Sequence, residues 1–99
     1  MSRHVGRKKR WRQHSATRYA SALGEVVYAE NAWYGTLQYR TRIAPAAPAE
    51  RTRWESHTAR LGPFKRPRNA MVAVEREATL LKNRHGTEML IGDQVLAEA

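Results

Sequence analysis

The run Arg7-Lys8-Lys9-Arg10-Trp11-Arg12 sets one indole among cationic side chains. That pattern suits a chain laid along a phosphate backbone or a groove, where each neutralised phosphate also releases condensed counterions. A second set is spread over two alternating stretches. Tyr34, Gln38, Arg40 and Arg42 share one parity, and Trp54 and Arg60 share the next stretch's outer parity. Arginine binds phosphate or forks onto guanine, and glutamine pairs with adenine. Aromatic rings stack on unpaired bases. Lys65, Arg66 and Arg68 form a third group where a helix begins, and the positive end of that helix attracts anions with them. Each set also has an inert reading: a solubilising tail, a solvated sheet face with Trp54 folded over arginine stems, and a solvated helix start.

Other chemistries find little support. His4, His14, His57 and His85 are far apart, none at the i, i+4 spacing of helical zinc sites, and the chain has no cysteine. Glu75 and Glu77, two apart on a helix, point in different directions. Ser2, Ser15, Ser21 and Ser56 lack the strand-turn-helix context of a nucleophile elbow. Gly24, Gly35, Gly62, Gly86 and Gly92 are too scattered to cradle a nucleotide phosphate. The chain is expected to be non-enzymatic, without metal or cofactor.

Ninety-nine residues suit one domain, and 41% apolar with 27% charged residues suits a soluble chain with a small core. The net charge of +9 is unevenly placed. Residues 1–24 carry seven Lys or Arg and no acid, residues 25–85 are moderately cationic, and Glu88, Asp93 and Glu98 make the end acidic. A self-repelling arm of this kind calls for an anionic partner. No apolar run approaches the ~20 residues that span a bilayer. The basic start runs into Trp11-Arg12-Gln13-His14-Ser15 and does not read as a secretion signal. An intracellular, cytoplasmic protein with no membrane contact is expected, and the lack of cysteine fits a reducing compartment.

The elements that must position these side chains are legible in part. Residues 1–18 show no sustained period and are expected to be disordered or extended when free. Trp11, Ser15, Arg18 and Ala22 share one helical face, which admits a short helix over residues 11–22. Val26-Val27-Tyr28 reads as a strand, and Ala29-Glu30-Asn31-Ala32 as a reversal. Trp33 to Ile43 alternates: Trp33, Gly35, Leu37, Tyr39, Thr41 and Ile43 face a core, Tyr34 to Arg42 at even positions face out. The Ala/Pro connector 44–49 follows. A third strand over Thr52–Leu61 turns Ala59 and Leu61 inward, and Gly62-Pro63 should stop it. Pro67 opens a helix with the stripe Met71, Val74, Ala78 and Leu81, closed by His85-Gly86. Met89-Leu90-Ile91 suits an extra strand or a cover for the sheet edge, and the last seven residues are expected to be loosely ordered.

The order strand, strand, strand, helix, with Leu61-Gly62-Pro63-Phe64 at the last junction, resembles the ethylene-response-factor type of DNA-binding domain and the arm-binding domains of integrases. The Trp-initiated strand Trp33 to Arg42, the junction Leu61, Gly62 and Phe64, and the helix residues Ala70, Met71, Ala73, Val74 and Ala78 carry the resemblance over residues 24–86. Arg66 stands where such a helix would be capped by Ser, Thr or Asp. The resemblance implies a three-stranded antiparallel sheet packed on one C-terminal helix, with the exposed face entering the major groove. Double-stranded-RNA-binding domains place another helix before a similar sheet, so DNA and RNA both stay open. The expected organisation is an α+β fold: a flexible basic arm over 1–22, a sheet-plus-helix domain over 23–91 and an acidic tail over 92–99. The expected function is nucleic-acid binding by the arm and the arginine-and-aromatic face. Two other readings fit the same composition: a structural subunit of a nucleoprotein particle, ribosome-like or a phage virion, and a phage-type inhibitor that binds a host nucleic-acid enzyme.

Overall fold

The computed structural model describes residues 11–43 and 53–98. The elements are β1 (Arg12–Ser15), β2 (Arg18–Ala20), β3 (Gly24–Ala29), β4 (Ala32–Ile43), β5 (Arg53–Phe64), α1 (Pro67–His85), β6 (Met89–Ile91) and α2 (Asp93–Glu98). β1 to β5 lie side by side in chain order, each antiparallel to the next, and β6 pairs with β4. The expectation of a three-stranded sheet on one helix is corrected: among the described residues the sheet has six strands.

Backbone pairing explains the extra strands. β4 is twice as long as β3, which pairs only with Ala32–Leu37. The same edge of β4 would go unpaired beyond Leu37, and buried backbone groups need partners. β6 fills that gap, in line with β3, setting Ile91 against Tyr39 and Met89 against Thr41. The N–H groups of Arg42 and Gly92 continue the ladder to Glu88 O and Gln38 O, each at 2.9 Å. On the far edge of β3, the helix admitted over residues 11–22 is replaced by the hairpin β1–β2. Tyr19 packs against Trp33 there with ring centroids 5.8 Å apart. The expected arm therefore joins the sheet from Arg12 onward, while residues 1–10 lie outside the described residues. The end expected to be loosely ordered contains α2.

Where the pattern was strong, it located the elements. Glu30 and Asn31 both adopt positive φ, 52° and 65°, as a two-residue hairpin turn requires. β4 buries Leu37 and Gly35 on the odd face, and α1 runs over that face from Pro67 to His85. The buried stripe of α1 is Ala70, Val74, Ala78 and Leu81; Met71 sits half-buried beside it. Val26 and Leu37 are fully enclosed beneath it, and Met89 and Ile91 extend the core. Gly35 permits the close approach of the helix, because a Cβ there would lie 2.5 Å from Val74 Cγ2.

β5 passes through Gly62-Pro63, where termination was expected. The register shifts between Trp33 and Gly35, so that Leu61 faces Gly35 and Phe64 faces Trp33. A bulge absorbs the residues that cannot pair. Gly62 has φ 131°, and a Cβ on it would crowd Trp33 O at 2.9 Å. Glycine is the residue that fits here.

Candidate nucleic-acid interface

α1 covers one face of the sheet, and the site is the other. Side chains alternate along a strand and align across paired strands, so the register determines which groups are neighbours. Arg12, Ala20, Glu25, Thr36 and Arg60 are successive partners from β1 to β5 and form one row across that face. The row spans four interstrand spacings of about 4.8 Å, about 19 Å in all. Gln38 faces Thr58 in the next row. Arg40 follows, between Ser56 on β5 and Leu90 on β6. Arg42 faces Trp54 at the far end. Gln38, Arg42, Ser56, Thr58 and Arg60 are exposed, while Tyr34, Arg40 and Trp54 are half-buried. The even-numbered residues singled out in the sequence are thus brought together on one surface.

Their local partners differ. The Arg60 guanidinium lies over the Tyr34 ring, 4.1 Å from its centroid. Arg42 stands 3.6 Å from Glu88, in a pair where both side chains are about half exposed. Arg18, on the same face of β2, pairs with Glu25. Among the described residues, no carboxylate lies within salt-bridge distance of Arg12, Arg40 or Arg60. Arg40 Nε is buried and has no hydrogen-bond partner among the described residues. A desolvated donor of this kind is unfavourable by about 1–3 kcal/mol. The face therefore holds more positive charge than it neutralises.

A recess of about 290 Å³ opens on this face where β2, β3 and β4 meet the start of α2. Ser21, Glu25, Thr36, Gln38 and Asp93 supply its polar lining. Neither Arg18 nor this recess is prominent in the sequence: Arg18–Ala20 is too short for a period, and Asp93 reaches the sheet only through β6.

Other expected site residues lie elsewhere. Arg7, Lys8, Lys9 and Arg10 are outside the described residues. Trp11 is turned toward the helix side, where its indole N–H donates to Glu75 Oε2 at 2.9 Å and its ring packs against the core. Lys65, Arg66 and Arg68 are exposed just beyond Phe64, at the end of the sheet that carries Tyr34. Arg66 takes the N-cap position of α1 with no side-chain cap, and the first turn has no acid. These cations and the helix end add positive charge at that corner.

His57 belongs to the covered face. It stacks on Tyr39 with ring centroids 4.8 Å apart, and its Nε2 lies 2.9 Å from Thr41 Oγ1. Among the described residues, no three metal-binding side chains of the His, Asp or Glu kind gather closely enough to hold an ion. No helix among them is long and apolar enough to cross a membrane. The chain matches no protein-family model, no curated protein and no solved structure.

Proposed function

We propose that the chain is a non-enzymatic nucleic-acid-binding protein, taking DNA or RNA on the open sheet face and on the basic segment that leads into β1. One observation carries this reading. Arg40 and Arg60 share with Tyr34 and Trp54 the face that α1 leaves bare, Arg12 stands on the same face at its β1 edge, and among the described residues no carboxylate pairs with any of the three arginines. Guanidinium groups bind phosphate oxygens, and aromatic rings give bases a surface on which to stack. The Arg7-Lys8-Lys9-Arg10 run enters beside Arg12 in the chain and adds sequence-independent attraction to the same polyanion.

Fluorescence anisotropy with labelled oligonucleotides, repeated over a salt series, tests the proposal. Binding should weaken steeply as salt rises. Because β1 and β2 belong to the sheet, the informative truncation removes only residues 1–10, combined with Arg40→Ala and Arg42→Ala. Full affinity in that variant overturns the proposal. A stoichiometric protein partner that survives nuclease treatment, with no binding to oligonucleotides, would favour the inhibitor reading instead.

A further inference from the structure

We infer that the open face takes unpaired nucleic acid in preference to a duplex; this rests on the reading just proposed and names the form of its ligand. Breadth is the first reason. The B-form major groove is about 12 Å wide, and a sheet of three strands spans about 10 Å between its outer strand axes. Here five strands stand abreast at the row through Thr36, with about 19 Å between the axes of β1 and β5, whereas at Arg40 and Arg42 only β6, β4 and β5 lie side by side. The five-stranded end does not settle face down into that groove. There a duplex is left with contacts to its backbone alone.

The aromatic groups give the second reason. Tyr34 lies eight residues before Arg42 on β4, and Trp54 stands opposite Arg42. The rings are therefore about 27 Å apart along the strands at ~3.4 Å per residue. A stacked base needs a free face, which a duplex reserves for its neighbouring base pairs. A single strand can instead run along β4 and β5, offering one base near Trp54 and another near Tyr34 with Arg60 over it. Arg40 and Arg42 lie along that path to take its phosphates.

The recess supplies the third. It lies beside Gln38, between the cationic rows, and is lined by Asp93, Ser21, Thr36 and Glu25, whose Oε2 pairs with Arg18 and whose Oε1 has no such partner among the described residues. Carboxylates repel phosphate but accept hydrogen bonds from base amino groups. A recess of about 290 Å³ lined in this way suits the edge of a base turned in from an unpaired strand. In a duplex the complementary strand occupies that edge.

The test compares a single strand of about 12 nucleotides, within the range of known single-strand sites, with a hairpin duplex of the same sequence. Both are bound to the full chain at one salt concentration. The single strand should bind at least about tenfold more tightly, the equivalent of 1.4 kcal/mol. Trp54→Ala should weaken single-strand binding by roughly 5- to 140-fold, the range for losing one stacked base. It should change duplex binding less than about twofold. Trp54→Phe, which keeps a stacking ring, should recover most of the affinity, and Tyr34→Ala repeats the test at the other ring should Trp54→Ala unfold. Equal or tighter binding to the duplex overturns this inference and leaves the proposed function standing. So does a single-strand preference that ignores the substitutions at Trp54 and Tyr34. Binding to neither form overturns both readings.

Discussion

The indole N–H of Trp11 donates to a carboxylate oxygen of Glu75 across 2.9 Å, tying the residue just ahead of β1 to the middle of α1. The ring packs against the same core that Val74 and Ala78 fill. In sequence Trp11 belongs to the cationic run; in space its side chain is fastened to α1. Trp11→Phe keeps an aromatic ring, though a smaller one, and removes the donor, so it should lower stability by about 1 kcal/mol or somewhat more, and Trp11→Ala by more again. Urea unfolding midpoints measure both. Loss of oligonucleotide affinity in Trp11→Phe without loss of stability would return this ring to the interface.

Gly35 and Val74 make a contact that a double-mutant cycle can isolate. Gly35→Ala drives a methyl to 2.5 Å from Val74 Cγ2 and should destabilise by about 1–3 kcal/mol. Val74→Ala alone leaves a cavity under the helix and also destabilises. Together they should cost less than the two losses added, because the smaller side chain makes room for the new methyl. Strict additivity would mean that the helix does not rest on Gly35.

Long, regular elements were legible in the sequence because their periods repeat enough times to be read. β4 alternates through its whole length, and its even positions did become the open face. The stripe on α1, with Pro67 before it and Gly86 after, located that helix. β1, β2 and β6 are only three or four residues each, and their pairing depends on what long-range edges need. Trp11, Ser15, Arg18 and Ala22 suggested a helical face, but Tyr19 belongs under Trp33, and a strand puts it there. The site followed the same division. Arg40, Arg42, Trp54 and Arg60 could be grouped by parity alone and Arg12 stood out in the cationic run, whereas the place of Arg12 on this face, Arg18 and the recess required the register of strands hidden from local pattern.

Arg40 should trade stability for binding. Its Nε is buried with no partner among the described residues, although the side chain belongs to the open face. Arg40→Met keeps an unbranched stem against Leu90 and removes the desolvated donor. Stability should hold or rise by up to about 1 kcal/mol, while oligonucleotide affinity falls severalfold. Thermal unfolding and anisotropy on one preparation would show both changes. A variant that loses stability and keeps its affinity would make Arg40 a structural residue.

Arg60 over Tyr34 separates charge from shape. Arg60→Lys keeps the cation but loses the planar group that lies on the ring, whereas Arg60→Ala loses both. The alanine variant should shallow the dependence of log affinity on log salt by about 0.7 for each phosphate contact removed from a single strand, and by about 0.9 for each removed from a duplex. The lysine variant should preserve that slope and still bind less tightly. Identical behaviour of the two would reduce Arg60 to a point charge.

If the open face takes a polyanion as proposed, Glu88 competes with it for Arg42. The two side chains stand 3.6 Å apart, and both are about half exposed, so the pair adds at most about 1 kcal/mol to stability. Phosphate and carboxylate seek the same guanidinium, and binding must first displace Glu88. Glu88→Gln should therefore leave the unfolding midpoint nearly unchanged and raise affinity a few-fold at low salt, an advantage that shrinks as salt screens the contact. The Glu88→Gln and Arg42→Ala double variant should lose that gain, since the amide frees nothing once its partner is gone. Equal gains in the presence and absence of Arg42 would show that Glu88 acts only through the overall charge of the face.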